Sequence, residues 1–181
     1  MTNLSSVLEV VTATHPGMVR SHNEDSLAAD EEIGLAALAA GMGGYNAGEV
    51  ASGIAVELIR TEMKKSLTGR NPEAFDGNEA ERLIEAHATQ ANNAIYQASQ
   101  SQPQYSGMGT TLVVALWHDN QMSVGHIGDS RLYRLRDGAL EQITRDHSLL
   151  QEQIDSGMIT KEQARHSQNK NLVTRAVGID P

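Results

Sequence analysis

The chain has 181 residues, enough for one domain with a substantial core, and 39% of them are hydrophobic while only 3% are aromatic. Val, Ile, Leu, Ala and Met must therefore fill that core. A net charge of −9 argues against a nucleic-acid backbone as the main partner, and the absence of Cys excludes disulfides and zinc–thiolate sites from this sequence. The first residues, Met-Thr-Asn-Leu-Ser-Ser, do not read as a signal peptide, and no apolar run nears the ~18 residues of a membrane span, so a cytoplasmic protein is expected.

In chain order, residues Val7 to Thr14 are rich in β-branched and apolar types and predict a strand, broken by His15-Pro16-Gly17. Ser26 to Ala29 predicts a second strand. Gly34 to Ala39 is a continuous apolar run, short enough for a buried third. From Gly48 to Leu67 the pattern is helical, with Val50, Ile54, Leu58, Ile59 and Met63 forming one stripe. A loop follows over Gly69 to Gly77. Asn78 to Gln100 predicts a second helix, with Asn78 as N-cap, Glu81 three residues on, and Leu83, Ile84, His87, Ala91, Ala94, Ile95 and Ala98 on one side.

The polar stretch Ser101 to Ser106 reads as a linker inside the domain. Three strands are predicted over Thr110 to Trp117, Gln121 to Ile127 and Ser130 to Arg136, the last closed by Asp137-Gly138. Polar helical pattern returns at Ser148 to Ser156 and Thr160 to His166. Strands, two long helices, then more strands indicate an α+β fold rather than alternating βαβ units.

Four short motifs occur in a fixed order: Arg20-Ser21-His22-Asn23-Glu24-Asp25-Ser26, Ala40-Gly41-Met42-Gly43-Gly44, Gly107-Met108-Gly109-Thr110-Thr111 and Gly128-Asp129-Ser130-Arg131. Each alone has a bland reading, as a surface ion pair, an acidic turn or a glycine turn. Together they resemble the metal-dependent protein serine/threonine phosphatases (type 2C), bacterial branch. The resemblance implies two antiparallel sheets sandwiched between helix pairs. It also implies a single phosphatase domain over 1–181 that lacks its C-terminal part, with a flap over 146–170.

The implied chemistry is hydrolysis of phosphoserine and phosphothreonine by a water that Mg²⁺ or Mn²⁺ activates, with two or three ions in the intact family site. Such ions take carboxylate, carbonyl and water oxygens. On that resemblance Glu24, Asp25, Gly41 and Asp129 are metal ligands, Arg20 and Asp25 are catalytic, and Arg20, Tyr45 and His147 meet the substrate. Arg20 suits phosphate because a guanidinium offers a planar, two-pronged donor fork. Adjacent Glu24 and Asp25 can serve one site only from a loop or strand end, since neighbours on a strand face opposite sides.

At the position of the family's metal-bridging Asp, this chain has Ala40. The substitution removes an oxygen that would touch both ions, so impaired activity is expected from Ala40 together with the missing C-terminal segment. The alternative is a catalytically dead pseudophosphatase or phosphoprotein-binding regulatory module. The implied partners are phosphorylated proteins, the substrates of a serine/threonine kinase, with neither nucleic acid nor membrane.

Overall fold

Alanine is what lets the long first helix reach the sheet. The computed structural model describes residues 3–44, 47–69, 75–167, 169 and 172–181. Strand β2 (Leu35–Met42) runs between β1 (Asp25–Asp30) and β4 (Leu112–His118), antiparallel to both, and β5 (Gln121–Ile127) pairs beyond β4. The two-residue strand β3 (Gly109–Thr110) pairs with Gly41 and Met42 at the end of β2. Helices α1 (Ala47–Leu67) and α2 (Gly77–Ser101) pack together on one face of this sheet.

That face carries Leu35, Ala37, Ala39, Leu112, Val114 and Leu116, all buried. Opposite them α1 buries Ala51, Ala55, Ile59, Met63 and Leu67, one per turn. Small side chains on both surfaces bring the backbones close at the end near β2's Gly41, and larger ones fill the far end. Burying Ile59 or Met63 fully is worth roughly 1.5–3 kcal/mol each. Ser26 of β1 and Ser52 of α1 bond hydroxyl to hydroxyl at 3.0 Å, satisfying two polar groups at this junction.

Of the predicted α1 stripe, Ile59 and Met63 are fully buried, whereas Val50, Ile54 and Leu58 are only partly buried at its flank, because Ala51 and Ala55 face the sheet in the first half of the helix. On α2 the predicted side is largely the buried one, with Ala80, Ile84, His87, Ala91, Ile95 and Ser99 inside. Its N-cap is Asp76, not Asn78: the Asp76 carboxylate accepts from Glu79 N at 2.9 Å, so the helix begins two residues earlier than the capping-box reading.

Three further expectations change. Val7 belongs to a turn, its N–H donating to Leu4 O at 2.9 Å, and Leu8 to Thr14 have no ladder partner among the described residues; Val10 N instead donates to Glu31 Oε1 at 2.8 Å. β-rich composition fits a pleated surface but makes no strand without a neighbour. The strand predicted over Thr110 to Trp117 is divided at Thr111, where the chain crosses from β3 to β4. The one predicted over Ser130 to Arg136 begins only at Tyr133, as β6 (Tyr133–Arg136), and pairs with β7 (Ala139–Gln142). Asp137 (φ 51°) and Gly138 (φ 77°) make the two-residue turn between them, both in the left-handed region that this hairpin type requires.

The α+β class is as expected. Of the layers, the described residues hold one sheet with its helix pair and the separate β6–β7 hairpin. The other face of the main sheet, with Ala36, Leu38, Val113, Ala115 and Trp117, looks toward Val10, Val11 and Thr12 across a cleft. Near the chain's end come α3 (Leu149–Asp155), capped by Ser148, and α4 (Lys161–Arg165), with a capping box between Thr160 and Gln163. Among the described residues, no helix is long and apolar enough to cross a membrane.

Candidate active site

A cleft of about 310 Å³ opens where β1 begins and β2 ends. Arg20, His22, Asn23, Glu24, Asp25, Ala40 and Gly41 line it, with His15 and Pro16. The chain achieves this with one turn before β1. Asn23 Oδ1 accepts from Asp25 N at 3.1 Å, and Asn23 Nδ2 donates to Thr14 Oγ1 at 2.8 Å. This Asx turn sets Glu24 just outside the ladder and Asp25 at its first rung, so the two neighbouring carboxylates serve one cleft. Asn23 is a residue that sequence reasoning missed; an Asx residue two places before a strand start is the signal that points to it.

Glu24 is half-buried and pairs through Oε2 with the exposed Arg20 guanidinium. Its backbone oxygen accepts from Gly41 N at 2.8 Å, which pins the end of β2 beside it. A Cβ on Gly41 would stand 1.9 Å from Gly48 O, and a Cβ on Gly48 would stand 2.9 Å from Glu24 Oε1 and from Met42 N. Only glycine at both places lets the start of α1 come this close to β2 and Glu24.

Asp25 faces Ala40 across the β1–β2 ladder. Both backbone groups of Ala40 go to Thr111: Ala40 N donates to Thr111 Oγ1 at 3.0 Å, and Thr111 N donates to Ala40 O at 3.0 Å. Thr111 Oγ1 lies 2.7 Å from Ser130 Oγ, next to Asp129. Asp129 itself is half-buried in the turn that follows Gly128 and does not line the cleft of Glu24 and Asp25.

His147 also lies outside that cleft. Its ring stacks on His126 with centroids 4.7 Å apart and 13° between planes, and its Nδ1 accepts from Gly128 N at 3.1 Å. His126 Nε2 bonds Arg145 O at 2.7 Å. Burial lowers the His147 pKa from its ordinary value, and the nearby His126 and Arg175 lower it further. Beside it, Arg131 forks onto Asp146 with 2.6–3.1 Å contacts, which raises the Arg131 pKa further above its already high range. Tyr45 falls outside the described residues.

Among the groups lining the cleft, beside the imidazoles of His15 and His22 and the Asn23 amide, the two carboxylates and the backbone carbonyl of Gly41 are oxygen ligands suited to a hard cation that keeps most of its waters. They fit Mg²⁺ or Mn²⁺ in kind. Among the described residues no group of three or more His, Cys, Asp or Glu side chains stands together to hold a metal ion, and Ala40 offers no side-chain oxygen.

The sequence profile of the family described as Protein phosphatase 2C matches residues 18–175. A serine/threonine phosphatase, Stp of Listeria monocytogenes serotype 4b, is 36% identical over 170 residues, covering 92% of this chain and 66% of that protein. The crystal structure of the Mycobacterium tuberculosis serine/threonine phosphatase PstP superposes with a TM-score of 0.80 at 38% identity, covering 91% of this chain and 66% of that one. The catalytic domain of PstP in complex with two manganese ions gives a TM-score of 0.75 at 38% identity, over 91% of this chain and 64% of that one. The chain thus spans just under two thirds of the length of the Listeria relative and of both solved chains.

Proposed function

The chain belongs to the protein phosphatase 2C family, and on that premise we propose that its cleft is a phosphoserine and phosphothreonine hydrolysis site weakened by Ala40. One observation carries the reading. Arg20, Glu24, Asp25, position 40 and Gly41, drawn from two separate motifs, line a single cleft. Glu24, Asp25 and Gly41 are the groups that would hold Mg²⁺ or Mn²⁺ there, with Asp129 contributing from the neighbouring turn. Bound in that way, the cation would screen the phosphoryl charge and lower the pKa of a water.

The rest is the work of the chain's own residues. The Arg20 guanidinium grips the phosphate oxygens and orients the ester. Asp25 would accept a hydrogen bond from the attacking water and orient it toward phosphorus. The Asn23 turn keeps both carboxylates on the cleft side. Ala40 leaves the position facing Asp25 without an oxygen, so turnover by this chain is low. The substrates are phosphoproteins made by a serine/threonine kinase. Ala40 equally favours a second reading, in which the chain binds phosphoproteins without turnover.

Phosphopeptide hydrolysis by this chain with millimolar Mn²⁺, against a chelator control, tests the proposal. Metal-dependent phosphate release supports hydrolysis. Metal-independent binding of the phosphopeptide with no release, even after Ala40→Asp, supports the binding module instead.

A further inference from the structure

The two halves of the site, the Glu24–Asp25 cleft and the Asp129 turn, meet at Thr111. This residue is buried, 2% exposed, at the break between β3 and β4. Its backbone N–H and its hydroxyl take the C=O and N–H of residue 40 respectively. Because Thr111 Oγ1 already accepts the Ala40 N–H, the remaining proton and lone pair of that hydroxyl are available to Ser130 Oγ, 2.7 Å away. Its methyl bears on the same turn from below. A Cβ on Gly128 would stand 2.6 Å from Thr111 Cγ2, and Gly128 holds a φ of 103° that favours glycine. One side chain therefore seats the turn 128–130 with its methyl, ties it with its hydroxyl, and clamps residue 40.

We propose that Thr111 is a positioning residue: through Ala40 N and Ser130 Oγ it fixes the placement of position 40 relative to the Asp129 turn. What the coupling serves rests on the phosphatase reading above, in which side chains at 40 and 129 share the cation site. Thr111 touches no substrate in this account. It acts through the backbone of residue 40 and the hydroxyl of Ser130, so a hydroxyl is required and its methyl is secondary.

Amide NMR of the chain with Ser130→Ala, Thr111→Val and Thr111→Ser tests the coupling without any metal. Ser130 is half-buried, so Ser130→Ala should fold. The expected result is that Ser130→Ala shifts the Ala40 amide, that Thr111→Val shifts both the Ala40 amide and the amides of 128–130, and that Thr111→Ser keeps both near their native positions. An Ala40 amide unmoved by Ser130→Ala overturns the coupling. A second arm titrates Mn²⁺ by electron paramagnetic resonance in the Ala40→Asp chain. Adding Thr111→Val should weaken uptake about tenfold and adding Thr111→Ser should leave it within about twofold, the scale of one lost hydrogen bond to a positioned group. Equal uptake with and without Thr111→Val overturns the role given to Thr111. No uptake by Ala40→Asp itself overturns the phosphatase reading, and with it the purpose of the coupling, while the amide arm still decides whether the coupling exists.

Discussion

Asp25 lies directly across the β1–β2 ladder from Ala40, on the same face of the sheet. Directly opposed side chains in an antiparallel pair have Cβ atoms roughly 5 Å apart, and like charges there repel. A carboxylate at 40 would oppose that of Asp25, an arrangement that needs a cation between or beside the two. The Ala40→Asp variant should therefore be less stable than the parent in chelator, by about 0.5–1 kcal/mol and a few degrees in Tm. Saturating Mn²⁺ should more than restore it, because a cation that binds only the folded chain stabilises it by mass action. Thermal unfolding with and without Mn²⁺ checks this. A variant whose Tm ignores Mn²⁺ would show that position 40 does not face a cation site.

Arg20 meets Glu24 from the solvent side, and an ion pair so exposed adds little to stability. Its proposed value lies in gripping phosphate. In the Ala40→Asp background, Arg20→Ala should raise the Michaelis constant for a phosphopeptide more than it lowers turnover, with Tm nearly unchanged. Steady-state kinetics over a range of peptide concentrations measures the split. An unchanged Michaelis constant removes Arg20 from phosphate binding.

Glycine substitutions at the β2–α1 contact and within α1 should separate close approach from free space. Gly41→Ala pushes a methyl into Gly48 O, so we expect a loss of about 3 kcal/mol, the upper end of overpacking costs, and displacement of Glu24. Gly53→Ala, within α1 itself and with nothing within 4 Å of the added carbon, should gain about 0.5–1 kcal/mol from helix propensity alone. Urea unfolding of the two variants gives both numbers. A Gly41→Ala chain as stable as the parent would mean that the α1 start is not held against β2 as described.

Acid should loosen the stacked histidines. The fold holds the His147 pKa below its ordinary value of 6.5, by burial first and then by His126 and Arg175, against the opposing pull of Asp146 and Glu152. The unfolded chain thus takes up this proton first. The group's contribution to stability is fully present above about pH 6.5 and is lost as pH falls through the lower folded value. Protonation also removes the Nδ1 acceptor that Gly128 N uses. A ring-proton NMR titration should give His147 an apparent pKa below 6.5, with Gly128 shifting in step. A value above 6.5 would contradict the stacked, half-buried geometry.

Periodicity made the long elements legible. β5 falls on its predicted residues, and both long helices begin and end within a residue or two of expectation. What could not be read was anything set by a partner distant in sequence. Val7 to Thr14 has strand composition but no ladder partner among the described residues, and Ala139–Gln142, short and exposed on every residue, becomes a strand only through pairing with Tyr133–Arg136. In α1 Ile59 and Met63 are buried as the pattern has them, but the first half of the stripe was not legible because alanines, weak in any hydrophobicity count, are what the sheet admits there. Motif order brought Arg20, Glu24, Asp25, Ala40 and Gly41 together as candidates, and they line one cleft. Thr111 carried no readable role, since its hydroxyl matters only once the crossing from β3 to β4 sets it between residue 40 and Ser130.

The central claim is that Ala40 is what holds this site below working strength. The direct measurement is Mn²⁺-dependent phosphopeptide hydrolysis by this sequence and its Ala40→Asp variant, each set within a chain of the full length of its relatives. Restoring the carboxylate should raise turnover by at least about a hundredfold, since each ~1.4 kcal/mol of recovered charge stabilisation is tenfold in rate. A change of less than tenfold would contradict the role assigned to position 40.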